Sequence, residues 1–226
     1  MNNDASPQVF AADRRRRRVI LISPVILALV MHGAARIVGP ALGDWSWLPL
    51  TIGYWSAAGL LIAWAGGREA VRRWLQPARG SRIWLFILLL LGIGASIPMI
   101  GPALRFYFEP RVWVLTIFFV LINPCAEEGY WRGLLLDAAR ASGWKGWAAV
   151  VYSSLLFTAN HAWMAVMTIG ARNPAASAFQ FVFGVLCAVV YLKTRSLRWP
   201  LLAHFVVNLL TPTVAVLFNL YVPGPK

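Results

Sequence analysis

Ile117-Phe-Phe-Val-Leu-Ile-Asn-Pro-Cys-Ala-Glu-Glu-Gly-Tyr-Trp-Arg-Gly-Leu-Leu-Leu136 sets two adjacent carboxylates, Glu127 and Glu128, and one guanidinium, Arg132, inside an otherwise apolar run. What this stretch means depends on the solvent around it. The whole chain of 226 residues is 59% hydrophobic and only 13% charged, where a soluble domain runs about 45–50% apolar and about 25% charged. This composition describes a chain dissolved in lipid. There a charged side chain is costly, faces the interior of a helix bundle and marks a functional site by default.

The balance of 21 Lys and Arg against 8 Asp and Glu gives a net charge of +13. Nucleic-acid binders carry such charge on a water-facing surface over an ordinary core. Here long uncharged stretches separate the basic clusters, so no nucleic-acid partner is expected. The pattern predicts an all-α, polytopic transmembrane helical bundle of about seven spans, at residues 19–38, 45–65, 83–100, 112–136, 144–163, 175–192 and 199–222. At roughly 20 residues per span, seven leave no room for a separate soluble domain. Residues 1–18 are expected as a disordered basic tail and 19–222 as one transmembrane domain. Basic residues before an apolar run also describe a signal peptide, but the run after Arg18 is too long and lacks a cleavage site, so it is read as a retained span.

Basic residues in alternate connecting segments divide 15 against 5, which places the N-terminus in the cytoplasm by the positive-inside rule. The segment 68–75 separates Val71, Trp74 and Leu75 from Arg68, Arg72 and Arg73, as either a short amphipathic helix on the membrane surface or a solvated basic loop. Most of the 12 tryptophans fall near span ends and read as headgroup anchors. Cys125 and Cys187 both lie in apolar segments and suggest no disulfide framework.

Of the eight acids, Asp4, Asp13, Asp44, Glu69, Glu109 and Asp137 fit in tails, loops or span ends; Glu127 and Glu128 do not. Residues four apart share a helix face, which pairs Glu128 with Arg132, Phe157 with His161, and His204 with Asn208. Three helices thus each present polar groups on one face, and in lipid those faces must turn toward one another. Glu127, Glu128, Arg132, His161, His204 and Asn208 are therefore expected to line one intramembrane polar cavity. Asn123-Pro124 suits a helix start, with Asn as N-cap and Pro at the first position. Two readings follow: a helix that restarts inside the membrane and aims its N-terminus at Glu127, or a simple proline kink.

In order, Glu127-Glu128-Gly-Tyr-Trp-Arg132, Phe157-Thr-Ala-Asn-His161 and His204-Phe-Val-Val-Asn208 resemble the three motifs of the CPBP family of intramembrane proteases. That family takes in type II CAAX prenyl endopeptidases and bacterial Abi-domain proteins. The resemblance covers residues 123–208. It implies a glutamic-type peptidase without a cofactor, in which Glu127 and His161 activate a water and His204 and Asn208 hold the oxyanion, with Glu128 paired to Arg132. The implied substrate is a membrane-anchored protein or peptide; the Trp-, Arg- and Ala-rich composition suggests a bacterial protein and so a bacterial inner membrane. A buried carboxylate suits a general base, and donors placed in advance count most where water is scarce. Which glutamate is the base rests on the family.

Competing chemistries leave few traces. The chain has no H-E-x-x-H zinc motif, no G-x-S-x-G and no G-x-G-D. A zinc site built from the two glutamates and two histidines stays open, as do a bacteriocin-immunity or scaffold protein that keeps the fold without turnover, and a proton-coupled transporter.

Overall fold

The computed structural model describes residues 13–107, 109–211 and 213–220, and among them it is all-helical. Helix α1, Arg14–Leu42, starts where Asp13 accepts a hydrogen bond from the Arg16 amide at 2.9 Å. An aspartate is a favoured N-cap. The arginine run expected in a disordered tail is therefore helical from Arg14 onward, while residues 1–12 of that tail lie outside the described residues.

Helix α2 (Trp47–Leu61) continues through a π-helical stretch, Ile62–Gly66, into the short α3 (Gly67–Trp74). Gly67 makes the turn with φ +65° and ψ −173°, a region essentially reserved for glycine. Segment 68–75 is thus a helix rather than a loop; Ala70 and Trp74 are buried in it, and Arg68 and Arg72 point outward. Helix α4 is Ile83–Tyr107. Helix α5 (Pro110–Glu127) passes without a break into a π-helical segment, Glu128–Leu135, and then α6 (Leu136–Ala141). The chain ends in α7 (Gly146–His161), α8 (Met164–Met167), α9 (Pro174–Thr194), α10 (Arg198–Leu210) and α11 (Thr213–Leu217).

Among the described residues five helical stretches are long and apolar enough to cross a membrane: Arg14–Trp45, Trp47–Trp74, Ile83–Gly101, Pro110–Ala141 and Pro174–Thr194. The two remaining spans of the expected seven correspond to α7, of 16 residues, and α10, of 13. At 1.5 Å per residue these are about 24 and 20 Å long. The expected span over 199–222 is interrupted after Leu210, with Pro212 following in the sequence; helices commonly end before the residue preceding a proline. The two short helices carry His161, His204 and Asn208.

The axis of the bundle is the stretch that carries both glutamates. Every residue from 126 to 139 is buried, although two glutamates, an arginine and an aspartate are among them. Its π-helical part packs against α1, α2, α3, α7 and α9. The Trp131 carbonyl accepts from Ser153 Oγ of α7 at 2.9 Å, as buried irregular backbone requires. Large apolar side chains instead cover the outside: Ile37 is 77% exposed and Leu60 70%. A water-soluble protein does not display that inversion over so many residues.

Tryptophans divide by environment. Trp45, Trp64, Trp113 and Trp147 are exposed, as anchors should be, but Trp47 and Trp163 are buried and serve as core. Trp74 closes the axis at one end. A Cβ on Gly133 would lie 2.8 Å from its ring. The indole cannot retreat, because its Nε1 donates to Asp137 Oδ2 at 2.9 Å. Gly133→Ala is expected to cost about 1–3 kcal/mol through overpacking, seen as a lower melting temperature in detergent micelles. Asp137, expected at a span end or loop, is buried; it also accepts from Tyr191 Oη at 2.7 Å and from Arg73 Nη2 at 3.2 Å. Two separate elements, α3 and α9, are thereby tied to α6 at the end of the axial helix.

Candidate active site

Glu127 ends α5 and Glu128 opens the π-helical segment, so the adjacent carboxylates leave the axis in different directions. π-Helical stretches inside α-helices are rare and concentrate at functional sites. Here the irregularity begins at Glu128. Pro124 lies inside α5 and the helix continues through it, so the expected restart at Asn123-Pro124 does not occur and Asn123 is not a cap.

Glu128 is fully buried and held from two sides. Its Oε1 accepts from Arg132 Nη1 at 3.1 Å and faces His204 Nδ1 at 2.8 Å. A carboxylate only accepts, so His204 carries its proton on Nδ1 and directs Nε2 toward Glu127 Oε2, 3.5 Å away. On the other side His161 Nδ1 lies 2.7 Å from the Phe157 carbonyl, also an acceptor. His161 therefore presents Nε2 to Glu127 Oε1, again at 3.5 Å. Each oxygen of Glu127 thus faces one imidazole nitrogen, at a separation longer than a good hydrogen bond.

Phe157 supports both neighbours. Its ring lies 4.3 Å under the Arg132 guanidinium carbon and meets the His161 ring edge-on at 4.5 Å. Such a cation–π contact partly offsets the burial of Arg132, whose Nε and Nη2 have no hydrogen-bond partner among the described residues. Arg132 Nη2 would lie 3.2 Å from a Cβ on Gly184, so α9 approaches closely at that point. Phe183 of the same helix packs edge-on against His204 at 5.5 Å.

Five of the six expected residues, Glu127, Glu128, Arg132, His161 and His204, form one connected cluster. Asn208 lies one turn beyond His204 and is buried; its Nδ2 has no hydrogen-bond partner among the described residues. The side chains pack directly on one another, and His161 is the most open of the ion-paired ones at 15%. Among the described residues no three His, Cys, Asp or Glu side chains are arranged to hold a metal ion.

A family model described as type II CAAX prenyl endopeptidase Rce1-like matches residues 109–210. The segment that builds this site is Rce1-like. No curated protein and no solved structure matches the chain. The matched segment contains all six site residues. Several of their supports come from outside it. Tyr54 Oη of α2 accepts from Trp131 Nε1 at 2.8 Å, and Ser23 Oγ of α1 shares a 2.7 Å hydrogen bond with Tyr130 Oη.

One contact with Glu127 escapes the sequence motifs. Asn123 Nδ2 donates to Glu127 Oε2 at 3.1 Å, and Asn123 Oδ1 accepts from Trp55 Nε1 at 2.9 Å. The signal is present in the sequence: Asn123 stands four residues before Glu127, the spacing that pairs Glu128 with Arg132. Reading Asn123-Pro124 as a helix start conceals it. The Trp55 ring also lines an apolar cavity of about 430 Å³ between α2 and α5, with Trp47, Phe118, Phe119 and Ile122 among its walls.

Proposed function

We propose that this integral membrane protein is an intramembrane endopeptidase that cleaves a membrane-associated protein or peptide by direct attack of water, with Glu127 as the general base. The observation that carries this reading is the pair of imidazole nitrogens facing the two oxygens of Glu127. His161 Nε2 has its lone pair toward a carboxylate oxygen 3.5 Å away, and two acceptors do not attract. A water that donates one proton to each reconciles them, and it is the molecule a hydrolase must hold. Glu128 is committed to Arg132 and His204, which leaves Glu127 for the chemistry.

In the reaction, Glu127 takes a proton from this water as its oxygen bonds to the scissile carbonyl carbon. The charge that develops on the carbonyl oxygen is met by Asn208 Nδ2 and by His204 Nε2. His204 donates there with a proton on each ring nitrogen, its Nδ1 held by the Glu128 carboxylate at 2.8 Å. Collapse of the tetrahedral intermediate breaks the C–N bond, Glu127 returns its proton to the leaving amine, and the new carboxylic acid departs with the water's other proton. Preplaced donors of this kind contribute about 10²–10³-fold in rate.

The apolar cavity beside Trp55 suits the lipid-like part of a membrane-anchored substrate. Candidate substrates are a prenylated C-terminal peptide, a bacteriocin precursor or a hydrophobic sorting tail. The 15 to 5 distribution of basic residues supports a cytoplasmic N-terminus, in a bacterial inner membrane. Proteoliposomes loaded with a farnesylated C-terminal peptide and, separately, with a helical-anchor peptide test the mechanism under strong chelation. Cleavage is expected to persist. Loss on chelation with recovery on added zinc would replace direct water attack by metal chemistry.

A further inference from the structure

We propose that Asn123 and Trp55 are positioning residues for the proposed base, forming a two-link chain that orients Glu127; this rests on the reading of Glu127 given above. An asparagine amide is symmetric in shape and reversed in polarity, so one that touches a carboxylate must be held with its NH₂ toward it. Trp55 does this. An indole N–H donates and never accepts, so the 2.9 Å contact fixes Oδ1 on the Trp55 side and leaves Nδ2, at 3.1 Å, for Glu127 Oε2. Asn123 is buried on α5 and Trp55 half-buried on α2, so the chain crosses between two spans.

This contact has consequences for both oxygens of Glu127. The hydrogen bond from Asn123 Nδ2 occupies a lone pair of Oε2. It also fixes the plane of the carboxylate by holding Oε2, so that Oε1 is the oxygen presented to His161 and to the water between them. Among the described residues the groups around Glu127 include His161 from α7, His204 from α10, Tyr54 from α2, Asn123 on its own helix and the neighbouring Glu128. Among these only Asn123 both holds Oε2 within hydrogen-bond distance and carries no ionisable proton. Trp55 lies outside residues 109–210, so α2 supplies part of the apparatus that orients the base.

The test uses the full-length protein in proteoliposomes, with Trp55→Phe, which keeps an aromatic wall and removes the N–H, and Asn123→Ala. Trp47→Phe is the control, because Trp47 is buried beside the same cavity with its Nε1 unpartnered. Orientation of a general base acts on kcat. We expect kcat to fall about 10–100-fold in Asn123→Ala and about 3–10-fold in Trp55→Phe, with KM within about twofold.

Infrared difference spectra against Glu127→Gln isolate the Glu127 carboxylate stretch, which should shift in Trp55→Phe and Asn123→Ala and stay in place in Trp47→Phe. This second measurement needs no turnover. A wild type that cleaves nothing would count against the peptidase reading while the stretch still reports on the chain. The proposal is overturned by a stretch unmoved in both variants. In a protein that cleaves, it is equally overturned by a kcat within twofold of wild type, or by a loss confined to KM.

Discussion

Replacing Arg132 by methionine is expected to be the most damaging single change to the fold. Arg132 and Glu128 are both fully buried, 3.1 Å apart, on the axial helix. A buried ion pair adds little over an apolar pair of the same shape, but removing one partner strands the other charge and costs about 3–5 kcal/mol. That is a large share of the roughly 5–15 kcal/mol that holds a typical domain folded. Methionine keeps most of the volume over Phe157, so the loss reports the charge. The double variant Glu128→Gln/Arg132→Met should regain most of it, and a double-mutant cycle of unfolding in mixed micelles measures the coupling. Additive losses in that cycle would mean that the pair is not coupled as described.

The pairing of Glu128 with Arg132 is legible in the sequence itself, and the reason is simple. In lipid, a polar group in a helix must face inward, so helical spacing alone assigns faces to Glu128 and Arg132, to Phe157 and His161, and to His204 and Asn208. What spacing does not carry is partner choice between helices. That His204 spans both glutamates, through Nδ1 to one and Nε2 toward the other, follows from how α10 packs on α5. The backbone irregularity at Glu128 has no clear sequence sign, whereas Pro124, which carries such a sign, sits inside an unbroken helix. Asp137 is misplaced by sequence reading because a carboxylate near a span end is compatible with headgroups; the indole of Trp74 and the hydroxyl of Tyr191 draw it inside instead. Hydropathy also joins α10 to α11 across the break after Leu210, since a window average registers apolar content and is insensitive to a local break in helical backbone.

The second large effect is on chemistry. Glu127→Gln keeps the shape and the hydrogen bond to Asn123 but removes the base, which contributes about 10²–10⁴-fold in typical enzymes. We expect kcat to fall by that factor with the melting temperature within a few degrees of wild type, because no charge partner is stranded: both imidazoles stand 3.5 Å away. His161→Ala should also lower kcat while leaving the Glu128–Arg132 pair in place, since His161 contacts the water site and not that pair. A stability loss as large as that of Arg132→Met would instead identify Glu127 as a structural group.

Product formation is the most direct test of peptidase activity at Glu127. Wild type, Glu127→Ala and His161→Ala, reconstituted at equal density in the same vesicles with a membrane-anchored substrate, can be compared by mass spectrometry of the released fragment. Water attack driven by Glu127 predicts a single new C-terminus from the wild type and only background from both variants; equal product from all three would contradict it.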